Sequence, residues 1–556
     1  MFLMIAQAAI AGTYSGAVQD ASGKPVAGAL VTLSDSKRGV AESVYSNAQG
    51  RFSLTTRLVG GKPVLRVRKP YFSDLSRPLS LPGKGNVRQV LMLKAMASER
   101  EISESLPAAY HFGQIPFEDG TIFQKDKFQR DCLSCHQLGN SYTRTARNAA
   151  AWEDSLERMH RYLGNFDKEL KAHRAEILAK GFAGEPIKVR PQFPFAPEIA
   201  RAKVVQYRLD KSKVPHDAEV SPDDGLVYIT DQFGDCMGIT NLKTGTTEYV
   251  PVPHQGMQPG GKFTKLGIPP LGQSAMAVYR GPHSLALGPD GKWYTTDTFA
   301  TQIGVFNPRT RQWEKSHDIP DTPANTLYPH TIRFDKAGMA WFTLAFSEQV
   351  GRLDPKNGKV DVIQLPPGKS LGISAGTAPY GIDVNPRDGT VWYTRLWADK
   401  IGRIDPHTLA VTEFDSPVKG PRRLRFDHDG SLWVAGYSEG ILARIETDGF
   451  KSKLYPLPEF APGFRPAPYA LAVHPDTQEV WVNETMTDHI YRFLPKEERW
   501  IAYPVPLRGT YTREMSFTKE GHVCTSNNPF LAAELEGGVN ELICIEPEGA
   551  VAMARK

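Results

Sequence analysis

The 556-residue chain has no long block of lysine or arginine, and its 66 basic against 61 acidic side chains leave a formal charge of only +5. A nucleic-acid partner and a polyanionic surface are both read through clustered positive charge, so neither is expected. The amino-terminal "MFLMIAQAAIAG" is apolar for about eleven residues, too few to span a bilayer, and it lacks a basic leader. Residues 1–12 read as the remnant of an export signal. With 40% hydrophobic and 23% charged residues there is no signature of disorder. Cysteine is scarce at five residues, three of them, Cys236, Cys524 and Cys544, isolated in sequence.

Glycine and proline are plentiful, 49 and 43 residues, which points to many short strands joined by turns. Residues 13–95 alternate apolar and polar positions through "YSGAVQDASGKPVAGALVTLSD" and "VYSNAQGRFSLTT", the period of half-buried strands, and predict a small β-sandwich. Residues 96–112 read as a charged linker helix. In 113–200, Trp152, Leu156, Met159 and Leu163 recur at helical spacing and predict a small helical domain, closed by the proline-rich "VRPQFPFAPE".

From 201 to 556 the chain repeats itself. Related segments begin at Pro215, Pro282, Pro329, Pro379, Pro421, Pro468 and Thr512, roughly 45 residues apart except for a longer first gap, the size of a four-stranded propeller blade. The fold class expected is mainly β: a seven-bladed β-propeller with an N-terminal β-sandwich and a small α-helical domain. "KVVQYRLD" at 203–210 is a spare fourth strand that would complete blade seven and close the ring. The first gap predicts an inserted loop between blades one and two.

The copies share "G-P-H-x-L-A", "D-G-x-W-Y-T" and "I-G-R-I-D-P" elements and resemble the virginiamycin B lyase family of seven-bladed propellers, while 13–95 resembles the carboxypeptidase regulatory-like domain family. The lyase resemblance implies a magnesium-assisted elimination that uses a His after the leading proline, a Glu after the aromatic strand and a second His three positions on. Blade six has the Glu as Glu484, but Tyr469 and Thr487 stand at the partner positions. Blades one to three have the His but carry Thr230, Thr296 and Leu344 where the Glu is sought, so a streptogramin lyase is not the expectation.

Two motifs carry chemistry. In "DCLSCHQLG", Cys132, Cys135 and His136 form the CxxCH pattern, in which two thiols bond covalently to a haem c and the adjacent His ligates its iron. A zinc site would need further paired ligands, and a thioredoxin-like pair would need a βαβ setting. Met159 is the candidate sixth ligand. His160, His173, His254, Met257 and Met276 are alternatives, as is an open position. The motif makes 113–200 a small α-helical cytochrome c-like haem domain, and because haem attachment of this kind takes place outside the cytoplasm, a periplasmic or otherwise exported protein is expected.

The second motif is the residue after each blade's leading position: His216, His283, His330, Tyr380, Arg422, Tyr469 and Arg513. Inner strands of a propeller line a central channel, so these seven are expected to form a ring at its mouth. The three histidines could hold a second metal ion or act in catalysis, with Asp217, Asp231, Asp297, Glu484 or Glu514 nearby. The repeated "PH" could equally be a structural device in which each imidazole bonds to the next blade's backbone. Tyr380, Arg422, Tyr469 and Arg513, with Arg423 beside them, suit an anionic or phenolic substrate. Cys524 and Cys544 are expected on neighbouring strands, where buried thiols are the default and a disulfide the alternative in an oxidising compartment.

The function these features suggest is an exported haem c oxidoreductase or electron-transfer protein. It would bind a small-molecule substrate in the propeller and exchange electrons with a redox partner protein. A metal-dependent lyase and a non-catalytic binding protein are the alternatives.

Overall fold

In the computed structural model, described for residues 12–82, 86–117, 125–134, 136–162, 167–193, 195–254, 256–262, 278–323, 327–370, 376–529 and 540–550, each repeat forms an antiparallel sheet of four strands, the outer strand of blade two being split into Gln312–Trp313 and His317–Asp318. Cys135, Met276, Leu163, residues 1–11 and much of the inserted loop lie outside the described residues. The second strands, such as Trp293–Asp297 and Val391–Arg395, are buried at every position because neighbouring blades cover both faces. Five of them bury a tryptophan: Trp293, Trp341, Trp392, Trp433 and Trp481. Truncating any one to alanine would cost about 3–5 kcal/mol, so these side chains fix the blade stacking.

Blades two to seven share one local irregularity that matters for function, and blade one has its counterpart. In blade two Pro282 pairs with Asp297 but Leu285 pairs with Thr295, a β-bulge that sets His283 and Ser284 against Thr296 alone. The bulge frees the Ser284 N–H, which donates to Thr296 Oγ1 at 3.0 Å, and that hydroxyl donates onward to the His330 carbonyl of the next blade at 2.6 Å. Thr230 bonds in the same way to the His283 carbonyl at 2.6 Å, Thr343 to Tyr380 at 2.9 Å and Thr394 to Arg422 at 2.6 Å. Asn483 donates to the Arg513 carbonyl, and Ser526 closes the circle onto the His216 carbonyl. Blade five has Ala435 there and makes no such bond. These hydroxyl and amide side chains, more than the imidazoles, tie six of the seven blades to the next.

The predicted closing strand is present. Lys203–Arg208 pairs with Glu541–Glu546 as the outermost strand of blade seven. Its free edge then pairs antiparallel with Val40–Tyr45 of the sandwich, so one eight-stranded sheet runs from the channel through blade seven into the amino-terminal domain. The two units share a core, in which Val31, Leu33 and Val44 cluster with Val205, Tyr207, Ala218 and Leu542. Buried Glu42 of the sandwich accepts from Lys203 Nζ at 2.8 Å across the joint. The other sandwich sheet places Gly12–Asp20 between Arg51–Thr56 and Asn86–Leu93.

Five α-helices occur among the described residues: α1 (Glu99–Glu104), α2 (Ala108–Phe112), α3 (Lys125–Cys132), α4 (Ala149–Tyr162) and α5 (Lys168–Gly181). Ser98 and Glu101 cap α1 reciprocally, and Asp167 caps α5 through the Leu170 N–H at 3.0 Å. Trp152 and Leu156 of α4 face Ala175, Ile177 and Leu178 of α5 in a core that also takes in Tyr380, Tyr437, Tyr469 and Tyr511 of the propeller. The helical unit therefore sits on the channel mouth. Met159 is half-buried on this helix, and His160 beside it is buried. Cys524 and Cys544 face each other on paired strands of blade seven and form a disulfide, not the pair of buried thiols taken as the default.

Candidate functional site

The bulges turn all seven ring residues toward the axis, and all seven are buried. Ring centroids lie 3.5 Å apart for His216 and His283, 4.2 Å for His283 and His330, and 3.9 Å for His330 and Tyr380. Burial holds the three imidazoles neutral, His216 at a pKa of about 4 and the others well below the usual value, with neighbouring arginines adding to the effect. His216 Nδ1 donates to Asp217 at 2.9 Å, whereas His283 Nδ1 is buried without a hydrogen-bond partner. His216, Asp217 and His283 bring potential ligand atoms within 4.8 Å of one another. His330 stands outside this group. It shares its Nδ1–H between Thr331 Oγ1 at 2.9 Å and the Tyr380 carbonyl at 3.3 Å, so here alone an imidazole bonds to the next blade as the structural alternative supposed.

The carboxylates separate by role. Burial would raise Asp217, but Arg423 and His216 hold it well below the ordinary range. Arg423 also pairs with Glu514 at 2.5 Å. Asp231 accepts from the backbone of Lys213, Val214 and Gly234, and Asp297 pairs with Arg280. Glu484 accepts from the backbone N–H groups of Met486, Thr487 and His489 and from the Thr487 hydroxyl, an arrangement that ties down its own loop. Burial pushes its pKa up to about 7 against those bonds. The strand pairing also corrects the alignment: Pro468 pairs with Glu484, Pro215 with Asp231 and Pro282 with Asp297, so the residues equivalent to Glu484 are Asp231 and Asp297, not Thr230 and Thr296. Glu484 is thus a loop-tying carboxylate at a position where two other blades also place one.

The opposite half of the ring is aromatic and cationic. Arg422 donates to the Tyr380 hydroxyl at 2.7 Å and lies over the rings of Tyr380, Tyr437 and Tyr469 at 4.7, 4.3 and 4.0 Å. Arg513 donates to the Tyr469 hydroxyl at 2.9 Å and lies over Tyr511 at 4.4 Å. Tyr469 is buried, which would raise its pKa, yet Arg513, Arg422 and Arg423 bring it down to about 8.

The two sequence motifs meet here. The Leu133 carbonyl, inside the CxxCH segment, accepts from Tyr437 and from Tyr511, the latter at 2.7 Å, and the Ser134 carbonyl accepts from Arg422 at 3.3 Å. Around them Asp131 accepts from Trp397 at 3.0 Å, Gln137 donates to Asp488 at 2.8 Å and Arg130 pairs with Asp399 at 3.3 Å. His136 is half-buried and donates Nδ1–H to the Gln137 carbonyl at 2.7 Å. Tyr437 and Tyr511 escaped the sequence reading because they flank the ring positions; the signal available was a tyrosine just beyond a blade's second strand or just before its first.

A model of the virginiamycin B lyase family matches residues 273–463, and one of the carboxypeptidase regulatory-like domain matches residues 13–94. The propeller is virginiamycin B lyase-like. Among solved structures, the selenomethionine-substituted virginiamycin B lyase from Staphylococcus aureus aligns at 20% identity and a TM-score of 0.48, covering 62% of this chain and 99% of its own. A streptogramin B lyase structure aligns at 19% identity and 0.49, covering 62% and 97%. Hydrazine synthase from Kuenenia stuttgartiensis aligns at 14% identity and 0.44, covering 60% and 96%. No curated protein matches the sequence. The virginiamycin B lyase-like propeller thus carries a ring that combines three neutral histidines with a tyrosine–arginine cluster, and no described helix is long and apolar enough to cross a membrane.

Proposed function

We propose that the chain is an exported haem c protein, an oxidoreductase or electron-transfer protein whose propeller binds a small molecule at the ring. The observation that carries this reading is the seating of the CxxCH segment on the ring, through hydrogen bonds from Tyr437, Tyr511 and Arg422 to the Leu133 and Ser134 carbonyls. A group held at Cys132, Cys135 and His136 would lie beside the residues that face the ligand.

The donor set fits a haem. The bond from His136 Nδ1–H to the Gln137 carbonyl selects the tautomer whose Nε2 keeps its lone pair for iron, and burial, which lowers the pKa of this imidazole, favours the neutral form. Cys132 is packed against the cluster of Phe112, Phe128, Trp152 and Leu156, the apolar environment a porphyrin needs. When bound, the haem would supply one-electron exchange with a redox partner protein. The tyrosine and arginine side chains would hold the substrate and exclude water. Met159 remains the proposed sixth ligand, with His160 one position on. The Cys524–Cys544 disulfide supports an oxidising, extracytoplasmic location.

The lyase-like reading has an observation of its own, the His216, Asp217 and His283 group, which could hold a second metal ion. Against it, Glu484 is engaged by its loop and Arg423, Arg422 and Arg513 surround the group with positive charge. Protein matured with the cytochrome c attachment machinery should show a haem c spectrum that survives denaturation, lost in Cys132→Ala. A colourless product would sink the haem reading. Stoichiometric non-haem metal with turnover in the absence of any electron acceptor would favour the lyase.

A further inference from the structure

Five arginines are among the largest side chains with less than 2% of their surface exposed: Arg130, Arg174, Arg395, Arg422 and Arg423. Four of them face carboxylates. Arg130 pairs with Asp399 at 3.3 Å, Arg174 with Asp131 at 2.6 Å, Arg395 with Glu413 at 2.9 Å, and Arg423 with both Asp217 and Glu514. Arg422 makes no ion pair among the described residues, and neither does Arg513, which is 7% exposed. An uncompensated buried guanidinium is strongly disfavoured, so two at one place call for a counter-charge.

The local groups do not supply one. Arg422 uses Nη2 on Tyr380 and the Ser134 carbonyl, while its Nε and Nη1 are buried without hydrogen-bond partners. Arg513 uses Nη1 on Tyr469, and its Nε is unpartnered. The tyrosine faces attract the cations and orient their planes, but they leave these N–H groups unanswered. Of the acids on the inner strands, Asp217 and Glu514 are already bound to Arg423, Glu219 lies 3.8 Å from Arg333, and Asp383 accepts from the Phe426 N–H at 3.0 Å.

We propose that Arg422 and Arg513 form an anion site at the channel mouth for a small planar monovalent oxyanion of the carboxylate or nitrite type. The planar guanidinium edges match a planar two-oxygen ion, and the Leu133 and Ser134 carbonyls bound over the mouth restrict the site to small ligands. This names the ligand class for the substrate-binding half of the proposed function. It rests on the ring facing a ligand and does not require the haem.

Tyr469 gives the site a pH dependence. Its hydroxyl accepts from Arg513 at 2.9 Å and lies 3.5 Å from that of Tyr380, Arg422 and Arg423 lie over its ring, Tyr511 packs on it, and the charge of Asp217 opposes its ionisation. Once ionised it becomes an internal counter-charge, so anion affinity falls as pH rises through about 8. Bound anion must in turn raise the pH at which this tyrosine ionises.

The test is calorimetric titration of the full chain, prepared with and without haem, using sodium formate and sodium nitrite at ionic strength fixed with bulky sodium gluconate. One saturable site is expected at pH 7, weakened at least about tenfold in Arg513→Gln and unchanged in the surface control Arg465→Gln. Should Arg513→Gln fail to fold, tyrosinate absorbance of the unaltered chain serves instead: formate should shift the ionisation near pH 8 upward. No saturable heat and no shift, or equal binding by folded Arg513→Gln, would overturn the site. Anion binding by protein that never acquires haem would sustain the site while removing the haem reading, and a haem protein blind to both anions would do the reverse.

Discussion

Tyr511 donates its hydroxyl hydrogen to the Leu133 carbonyl at 2.7 Å, and Tyr437 donates to the same oxygen, so one buried acceptor in the CxxCH segment is held by two blades. A carbonyl has two lone pairs and tolerates the loss of one partner far better than of both. Tyr437→Phe and Tyr511→Phe should each cost about 1 kcal/mol or less, and the double variant about 1–3 kcal/mol beyond their sum. Urea unfolding of the four proteins reads the coupling. Additive costs would mean that the helical unit lifts away from the ring without penalty.

The inter-blade hydroxyls should matter more than their exposure suggests. Thr296 accepts from the Ser284 N–H and donates to the His330 carbonyl, so Thr296→Val orphans two buried backbone groups at constant shape. The expected cost is about 2–4 kcal/mol. The same change at Thr408, an exposed turn residue bonded only to neighbours along the chain, should cost under about 1 kcal/mol. Equal midpoints for the two variants in denaturant would show that the bulge N–H groups find water instead.

Much of this was legible in the chain. A leading Pro followed by His, Tyr or Arg marks six blades and Thr512 a degenerate seventh, and the unclaimed strand expected at 203–210 announced ring closure. The Thr, Asn or Ser near the end of the second strand in every blade but the fifth was visible too, but its role depends on the bulge, which counting along a strand cannot reveal; hence the one-residue slip that set Thr230 against Glu484. The contacts that make a site are less local. Nothing in Val40–Tyr45 marks it as partner to Lys203–Arg208, because any unpaired strand edge offers the same backbone groups. Likewise the seating of Leu133 on Tyr437 and Tyr511 joins residues separated by 304 and 378 positions.

The Cys524–Cys544 bond joins strands of the blade that closes the ring and carries the sandwich. With a sequence separation of 20 between the cysteines, the loop-entropy argument gives about 3 kcal/mol of stabilisation. Cys524→Ser with Cys544→Ser should therefore lower the thermal midpoint by several degrees, and non-reducing peptide mapping of the unaltered protein should return the linked pair. Alkylation at Cys524 and Cys544 themselves, in protein exported to an oxidising compartment, would contradict it.

Acid should act through the ring. His216 is buried with a pKa near 4, against about 6.5 when unfolded, so between these values the unfolded chain binds the proton that the folded chain refuses. Its contribution is intact above about pH 6.5 and is lost as pH falls toward 4, by roughly 3 kcal/mol in all. His283 and His330 are displaced in the same direction. Glu219 and Glu484 oppose it: burial raises them to about 8 and 7, so the folded state takes up their protons first and their effect favours folding as pH falls. The whole-protein profile mixes these signs, and the informative quantity is a difference. His216→Gln should unfold at lower urea than the unaltered chain at pH 7.5, with the gap narrowing steadily to pH 4.5. Parallel profiles over that range would mean that His216 titrates as it does in water, and that the mouth of the channel is wet.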